Sequence, residues 1–448
     1  HPLERQPHRP VARGEGASLP VHLVSGDAYA PRSGDVSYDV ASYRLDLDYR
    51  VRTNRLSGTA TIEATASIDL RGVSLDLIGM RATRVRVDGV SPAVQRQSAQ
   101  HLQIGFGRDV AAGETFTIEV RYEGSPAPRR SPWGAIGWEE LTDGALVANQ
   151  PTGAATWFPC NDRPDNRARM RMRIATDREY TAVAVGTRIL DQTQGRRRVV
   201  EYACDVPTAT YLAAVHVGRY GRTEIDAPVP VELWAPAALT APAAAAFADL
   251  PRMIAAFGER FGPYPQSGYR VVVTADDLEI PLESQGMAVF GANHLDAASE
   301  RLVAHELAHQ WFGNSVGIAR WQDIWLNEGF ACYAEWLWSE ASGGPDADGC
   351  ARAHLRQLTA EPQDLVIADP GAARLFDDRV YKRGALALHA LRLHLGDEAF
   401  FELLRSWTAA HRHALVVTDD FRRLLDDESA SLLSSWIDRA PLPRLAPR

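Results

Sequence analysis

At 448 residues the chain has room for two or three domains, each with its own core. Its 45% hydrophobic and 23% charged content is that of a globular protein, and 57 acidic against 48 basic residues give a net charge of −9. That balance, without any long basic run, argues against a nucleic-acid partner, and the absence of eighteen uninterrupted apolar residues argues against a membrane span.

In chain order, residues 1–25 are polar and rich in Pro and Arg and read as a flexible lead-in, without the form of a signal peptide. Cys160, Cys204, Cys332 and Cys350 are scattered and lack C-x-x-C spacing, so a reducing, cytoplasmic compartment is the default. A start at His1 rather than Met leaves export open. From 37 to 217 the pattern is strand after strand. Tyr43, Leu45, Leu47, Tyr49 and Val51 alternate with Arg44, Asp46, Asp48 and Arg50; residues 54–58 supply a turn, and 59–66 resume the alternation. Residues 84–87, 101–106, 115–122 and 170–174 read as further strands. The expectation is an all-β domain over 26–225 with one sheet face solvated.

The period changes after a strand at 231–234. Residues 236–257 are alanine-rich with helical spacing, and 269–274 form a β-branched strand. Helices are expected at 297–312, 323–342, 346–358, 380–395, 397–411 and 418–426. The fold class expected is α+β multidomain: an all-β domain, then a mostly helical domain over 226–448. No internal repeat is visible.

The helix expected at 297–312 carries His305, Glu306 and His309 as H-E-x-x-H. Leu302, Val303, Leu307 and Ala308 give it an apolar side, Asp296 or Ser299 can cap its start, and Gly313 can end it. Residues four apart share a helix face, so the two imidazoles can grip one zinc ion while Glu306 reaches a water beside it. Glu328, nineteen positions after His309 on the next helix, supplies a third ligand and leaves a fourth position open, the pattern of a catalytic site. The competing reading is a polar helix face with two satisfied histidines. It is disfavoured because the surrounding Leu, Val, Ala and Trp would leave an unpaired imidazole costly. The expected cofactor is one Zn2+ per chain, lowering a water's pKa toward neutrality so that it attacks an amide carbonyl, with Glu306 carrying the proton to the leaving amine. Glu335, two helical turns beyond Glu328, reads either as a hydrogen-bond partner of a ligand imidazole or as a solvated acid. Trp311, Trp321, Trp325, Trp336 and Trp338 read as core, and His411 with His413 as solvated.

Beyond the ligands the chain resembles the aminopeptidase N family of gluzincin metallopeptidases, relatives of leukotriene A4 hydrolase. Trp325-Leu326-Asn327-Glu328-Gly329-Phe330-Ala331 is similar to that family's third-ligand motif, and Tyr381-Lys382-Arg383-Gly384 to its Tyr-x-Lys-Gly motif. Gln150 followed by Phe158-Pro159-Cys160-Asn161-Asp162-Arg163-Pro164 is similar to its β-domain signature, and Trp436 with Pro441-Leu442-Pro443 to the end of its catalytic domain. The resemblance spans about 37–443. It implies a saddle-like β domain, a thermolysin-like catalytic domain, and a monomeric aminopeptidase acting on peptides with a free N-terminus. It further implies that Tyr381 donates to the oxyanion and that Glu283, helped by Gln150, anchors the substrate's α-ammonium group. Without the resemblance Glu283 reads as an ordinary loop acid. An endopeptidase or epoxide hydrolase on the same scaffold, and a non-catalytic relic, are the competing readings; Glu283 and the full ligand set argue against them.

Two departures stand out. Ile280-Pro281-Leu282-Glu283-Ser284 replaces the family's Gly-Ala-Met-Glu-Asn, so the amide lost at Pro281 and the changed neighbours bear on substrate positioning. Arg383 replaces the usual lysine and is expected to bear on positioning as well. Glu279, just before the altered motif, is a candidate acid for a basic first residue. The chain also reads as a short form without the C-terminal helical domain, with a more open site expected.

Overall fold

The computed structural model describes residues 26–448, and the expected lead-in over 1–25 lies outside the described residues. The first half is β-rich. A seven-stranded sheet runs in the order Thr187–Gln194, Arg197–Ala209, Arg167–Asp177, Tyr38–Arg50, Arg55–Ala66, Thr115–Gly124, Arg81–Val87. Along Tyr38–Arg50, Tyr43, Leu45, Leu47 and Tyr49 are buried while Arg44, Asp46 and Arg50 are exposed, so one face packs and the other is solvated. The turn is tighter than the sequence suggested. Val51–Thr53 forms a 3-10 turn, Asn54 takes φ 46°, and the next strand resumes at Arg55 rather than 59. Asn suits that left-handed position better than most residues. A three-stranded sheet (Leu70–Asp76, His101–Val110, Val94–Gln97) and a five-stranded sheet (Thr181–Ala184, Val215–Gly218, Gly144–Ala148, Gly134–Leu141, Arg129–Ser131) complete this half. The segment around Asn161 ties them together: its side-chain N–H groups donate to the carbonyls of Asp35 and Tyr38, and its oxygen accepts from the Asp35 amide at 2.7 Å.

The second half opens with a mixed sheet in the order Tyr220–Ile225, Val231–Pro236, Tyr269–Val273, Met287–Phe290, Leu282–Ser284. Nine helices follow or interleave among the described residues: α1 Thr240–Ala246, α2 Leu250–Phe261, α3 Glu300–Ala308, α4 Trp325–Ala341, α5 Ala347–Thr359, α6 Asp378–Leu395, α7 Asp397–Ala410, α8 Thr418–Arg422 and α9 Asp427–Ile437. The single helix expected over 236–257 is two, because Pro251 cannot donate its amide to a continuing helix and instead starts α2. The helix expected to reach 426 stops at Arg422, and α9 was not foreseen: its serine-rich Asp427–Ile437 sequence has weak propensity and is held by the Asp426 carboxylate, which accepts from the Ser429 amide at 2.7 Å. The five tryptophans named above are all buried. His411 and His413 are half-buried rather than solvated, and His411 packs on the Trp407 ring with centroids 4.6 Å apart. Among the described residues no helix is long and apolar enough to cross a membrane.

Candidate active site

The site forms where α3 meets α4. Asp296, not Ser299, caps the approach: its carboxylate accepts from the Ser299 amide at 3.0 Å and starts a 3-10 turn that runs into α3. Val303, Ala304, Leu307 and Ala308 bury the helix, and His305 and Glu306 are buried with them. The helix ends at Ala308, four residues short of the expected 312, because Gly313 turns the chain at φ +111° and donates to the Val316 carbonyl at 2.8 Å. His309 keeps helical angles as the capping residue, so the four-residue spacing survives.

Both imidazoles aim Nε2 at one carboxylate oxygen of Glu328, at 3.2 Å from His305 and 3.3 Å from His309. Their other nitrogens are taken. His305 Nδ1 lies 2.8 Å from Glu335 Oε1, and His309 Nδ1 lies 3.0 Å from the Phe312 carbonyl oxygen. An outer acceptor on Nδ1 fixes each ring so that Nε2 faces inward, as metal-binding histidines are held. One donor atom from each of His305, His309 and Glu328 falls within 4.8 Å of the others. Glu335 is thus a buried partner of His305 and not a solvated acid; Arg301 approaches its second oxygen at 3.4 Å.

Around this cluster stand the other predicted residues. Glu306 is buried, and one of its carboxylate oxygens has no hydrogen-bond partner. Glu283 sits on the edge strand Leu282–Ser284, held opposite Ala288, with Oε1 4.0 Å from His309 Nε2. The Tyr381 ring, on α6, lies nearly parallel to that of His305 with centroids 6.0 Å apart. Gln150 enters from the β-rich half just after Gly144–Ala148, and its buried amide nitrogen has no partner.

Burial and mutual charge set the protonation of the cluster. Burial lifts Glu306 to about 8, with Glu283 adding to the shift and His305 opposing it. Burial also lifts Glu283, against the pull of His309. Glu328 goes the other way, to about 2, because His309 and His305 outweigh its burial. His309 is held at about 9: burial opposes its charged form, and Glu283 with Glu328 overcomes it. Carboxylates and imidazoles that share protons this tightly are the donors a divalent cation binds by displacing those protons.

The cluster opens into a cleft of about 710 Å³ between the two halves of the chain. Pro281 and Glu279 lie on its wall, and Glu279 is exposed there. Arg383 does not line it. Its guanidinium is buried against the carbonyls of Trp436, Arg439, Ala440 and Pro441, so this departure bears on the anchoring of the C-terminal segment and not on substrate positioning. Sequence reasoning missed the β-domain wall, formed by Trp133, Ile136, Glu139 and Leu146. Alternation at Ile136 and Trp138 was a strand signal, but no local pattern says which face meets a neighbouring domain. The Trp133 indole donates to the Ala372 carbonyl at 2.7 Å and so ties the cleft's two sides together.

Comparison with known proteins agrees with this geometry. Residues 39–212 match the peptidase M1 N-terminal domain, and residues 246–439 match the peptidase family M1 domain. Aminopeptidase M1-B of Oryza sativa subsp. japonica is 25% identical over 93% of this chain and 51% of its own length. Aminopeptidase N of Oryctolagus cuniculus is 26% identical over 85% of this chain and 45% of its own length. The chain therefore spans about half the length of the curated relatives it matches. The crystal structure of an M1 zinc metallopeptidase from Deinococcus radiodurans is similar throughout, with a TM-score of 0.87 at 30% identity, covering 94% of this chain and 98% of that one.

Proposed function

The chain belongs to peptidase family M1, and on that premise we propose that it is a zinc-dependent aminopeptidase releasing N-terminal amino acids from peptides. The donor set suits zinc: two imidazole nitrogens and one carboxylate oxygen converge, and each imidazole is oriented from behind. His305, His309 and Glu328 would hold the ion. When bound there, zinc supplies Lewis acidity that makes water a nucleophile near neutral pH and polarises a carbonyl. A second possible grouping, Glu283, Glu306 and His309, shares His309 with the first, which favours one ion per chain.

Glu306 takes the proton of the attacking water and returns it to the departing amine; burial, which makes its charged form less favourable, suits a group that must both accept and release a proton. Tyr381 donates its hydroxyl to the oxygen that gains charge. Glu283 pairs with the α-ammonium group, and the Gln150 amide oxygen accepts from the same group. The observation that carries the reading is the position of Glu283, a buried carboxylate 4.0 Å from His309 Nε2. An amine anchored there leaves room for one residue ahead of the scissile bond, whereas an internal peptide segment would leave that carboxylate unpaired.

Two apolar clusters, one built mostly from the β-rich half and one mostly from the helical half, support two domains, proposed over 26–225 and 226–448, with the strand Tyr220–Ile225 belonging to the second through its pairing with Val231–Pro236. A monomeric, cytoplasmic protein is part of the same proposal; light scattering tests the first term and cell fractionation the second. The activity itself is tested with leucine p-nitroanilide and its N-acetylated form. Cleavage of the free amine alone, abolished by a chelator and restored by zinc, is expected. Equal cleavage of both forms, or activity indifferent to chelation, would refute it.

A further inference from the structure

The cleft is strongly acidic. Eight carboxylates line it against two cationic side chains, Arg301 and Lys382. Lys382 is the single lysine of the chain. Neither belongs to the metal-binding set or to the amine anchor. Arg301 stands at the mouth with its side chain 58% exposed, and Lys382 in the wall with 14% exposed. Each is loosely paired: Arg301 with Glu335 at 3.4 Å, an acid already bonded to His305, and Lys382 with the Cys332 sulfur at 3.7 Å and Asp378 at 4.0 Å, which leaves at least one of its three N–H donors unused. Both therefore keep donors to give.

Their placement gives the cleft a direction. Glu283 lies beside His309. Arg301 lies on the other side, on the helix turn ahead of His305 and against the glutamate that holds His305. Lys382 follows Tyr381, whose ring stacks on His305. A peptide whose ammonium group is held at Glu283 would cross the two imidazoles and run toward Arg301 and Lys382. Four residues of helix separate Arg301 from His305, a rise of about 6 Å. An extended peptide covers about 3.3–3.6 Å per residue, so the group that arrives at these cations is that of the first or second residue past the scissile bond.

We propose that Arg301 and Lys382 bind the C-terminal carboxylate of the substrate and so select di- and tripeptides. This rests on the aminopeptidase reading above. Away from the metal-binding cluster the cleft's other charged side chains are carboxylates, so the two cations decide whether a short free peptide is accepted or repelled. The contact is remote from the reacting bond and binds ground and transition states alike, so it is read in KM rather than in kcat.

The test compares trialanine with trialanine amide, which differ only at the carboxyl end. The wild-type protein is expected to favour the free acid in kcat/KM by about tenfold, the scale of a charge-assisted contact. In the double variant Arg301→Gln, Lys382→Met the ratio is expected to fall to one or below, whereas Arg301→Lys should retain a preference for the acid. Because the ratio is taken within each protein, a loss of folded material cancels. A wild-type ratio near one, or a ratio unchanged in the double variant, overturns the inference while cleavage of alanine p-nitroanilide leaves the aminopeptidase reading standing. Failure of the wild type to cleave any of the three substrates overturns both.

Discussion

Glu306 and Glu335 are both buried acids beside the same histidine, and they differ in what satisfies them. Glu335 is bonded to His305 Nδ1 and lies near Arg301, so its charge is spent on holding a ring. Glu306 has an oxygen with no partner, free to accept a proton. Exchanging Glu306 for Gln keeps the shape and removes the proposed base: zinc content by elemental analysis should match wild type while kcat falls by about 10²–10⁴. A variant with near-normal turnover would reassign the base. Changing Glu335 to Gln should act first on the metal. Affinity should weaken by about 10- to 100-fold, measured by competition with a chelator, with activity recovered in excess zinc. The convergence of His305, His309 and Glu328 was legible in the sequence because the four-residue spacing puts both imidazoles on one helix face. Glu335 stood undecided, since a seven-residue interval fixes a helix face but not what packs on it.

The helices were legible to within a few residues wherever apolar periodicity was strong, as in α4 and α6, and not where Pro251 broke a run or serine thinned one out. Their crossing was not legible, although the sequence placed a glycine beside each functional residue. Gly329 follows Glu328, and Gly384 lies three positions after Tyr381. A Cβ added at Gly329 would come within 2.9 Å of the Gly384 Cα, and one added at Gly384 within 2.8 Å of the Gly329 Cα. The obstacle is backbone on both sides, which cannot rotate away. This contact lets α4 and α6 approach closely enough for the Glu328 carboxylate and the Tyr381 ring to flank His305 together. Gly329→Ala should force the helices apart, destabilise the protein by about 1–3 kcal/mol in chemical denaturation, and lower kcat beyond what the loss of folded protein explains. A Gly329→Ala protein of undiminished stability and activity would show that the crossing is not needed to build the site.

At the scale of the whole molecule, the site is a joint product of two halves that the sequence describes separately. The proposed zinc ligands, with Glu306, Glu283 and Tyr381, come from the helical half; Gln150 and the wall formed by Ile136 and Leu146 come from the β-rich half. Strand alternation identifies which residues leave a sheet on one face, but the partner of that face is chosen by long-range docking, so the wall was invisible in advance. The β-rich half must then hold its shape for the cleft to exist, and it contains a titratable weak point. His216, on the strand Val215–Gly218, is fully buried; its Nδ1 accepts from the Val147 amide at 3.4 Å and its Nε2 has no partner. Burial lowers its pKa from 6.5 to about 3. The folded state therefore binds this proton later than the unfolded state does. The stability it permits is complete above 6.5 and is lost as pH falls toward 3, by about 1.4 kcal/mol per pH unit. Asp162 runs opposite: burial raises it to about 6, so the folded state takes its proton first and gains stability as pH falls from there toward 3.8. The two trends partly cancel in the wild type and separate in a difference measurement. His216→Asn retains an acceptor for the Val147 amide and does not titrate. Its stability relative to wild type should rise by about 2–3 kcal/mol between about pH 6 and pH 4, followed by chemical denaturation of the β-rich half. A difference that stays constant over that interval would mean that His216 gains its proton in the folded protein as easily as in the unfolded chain.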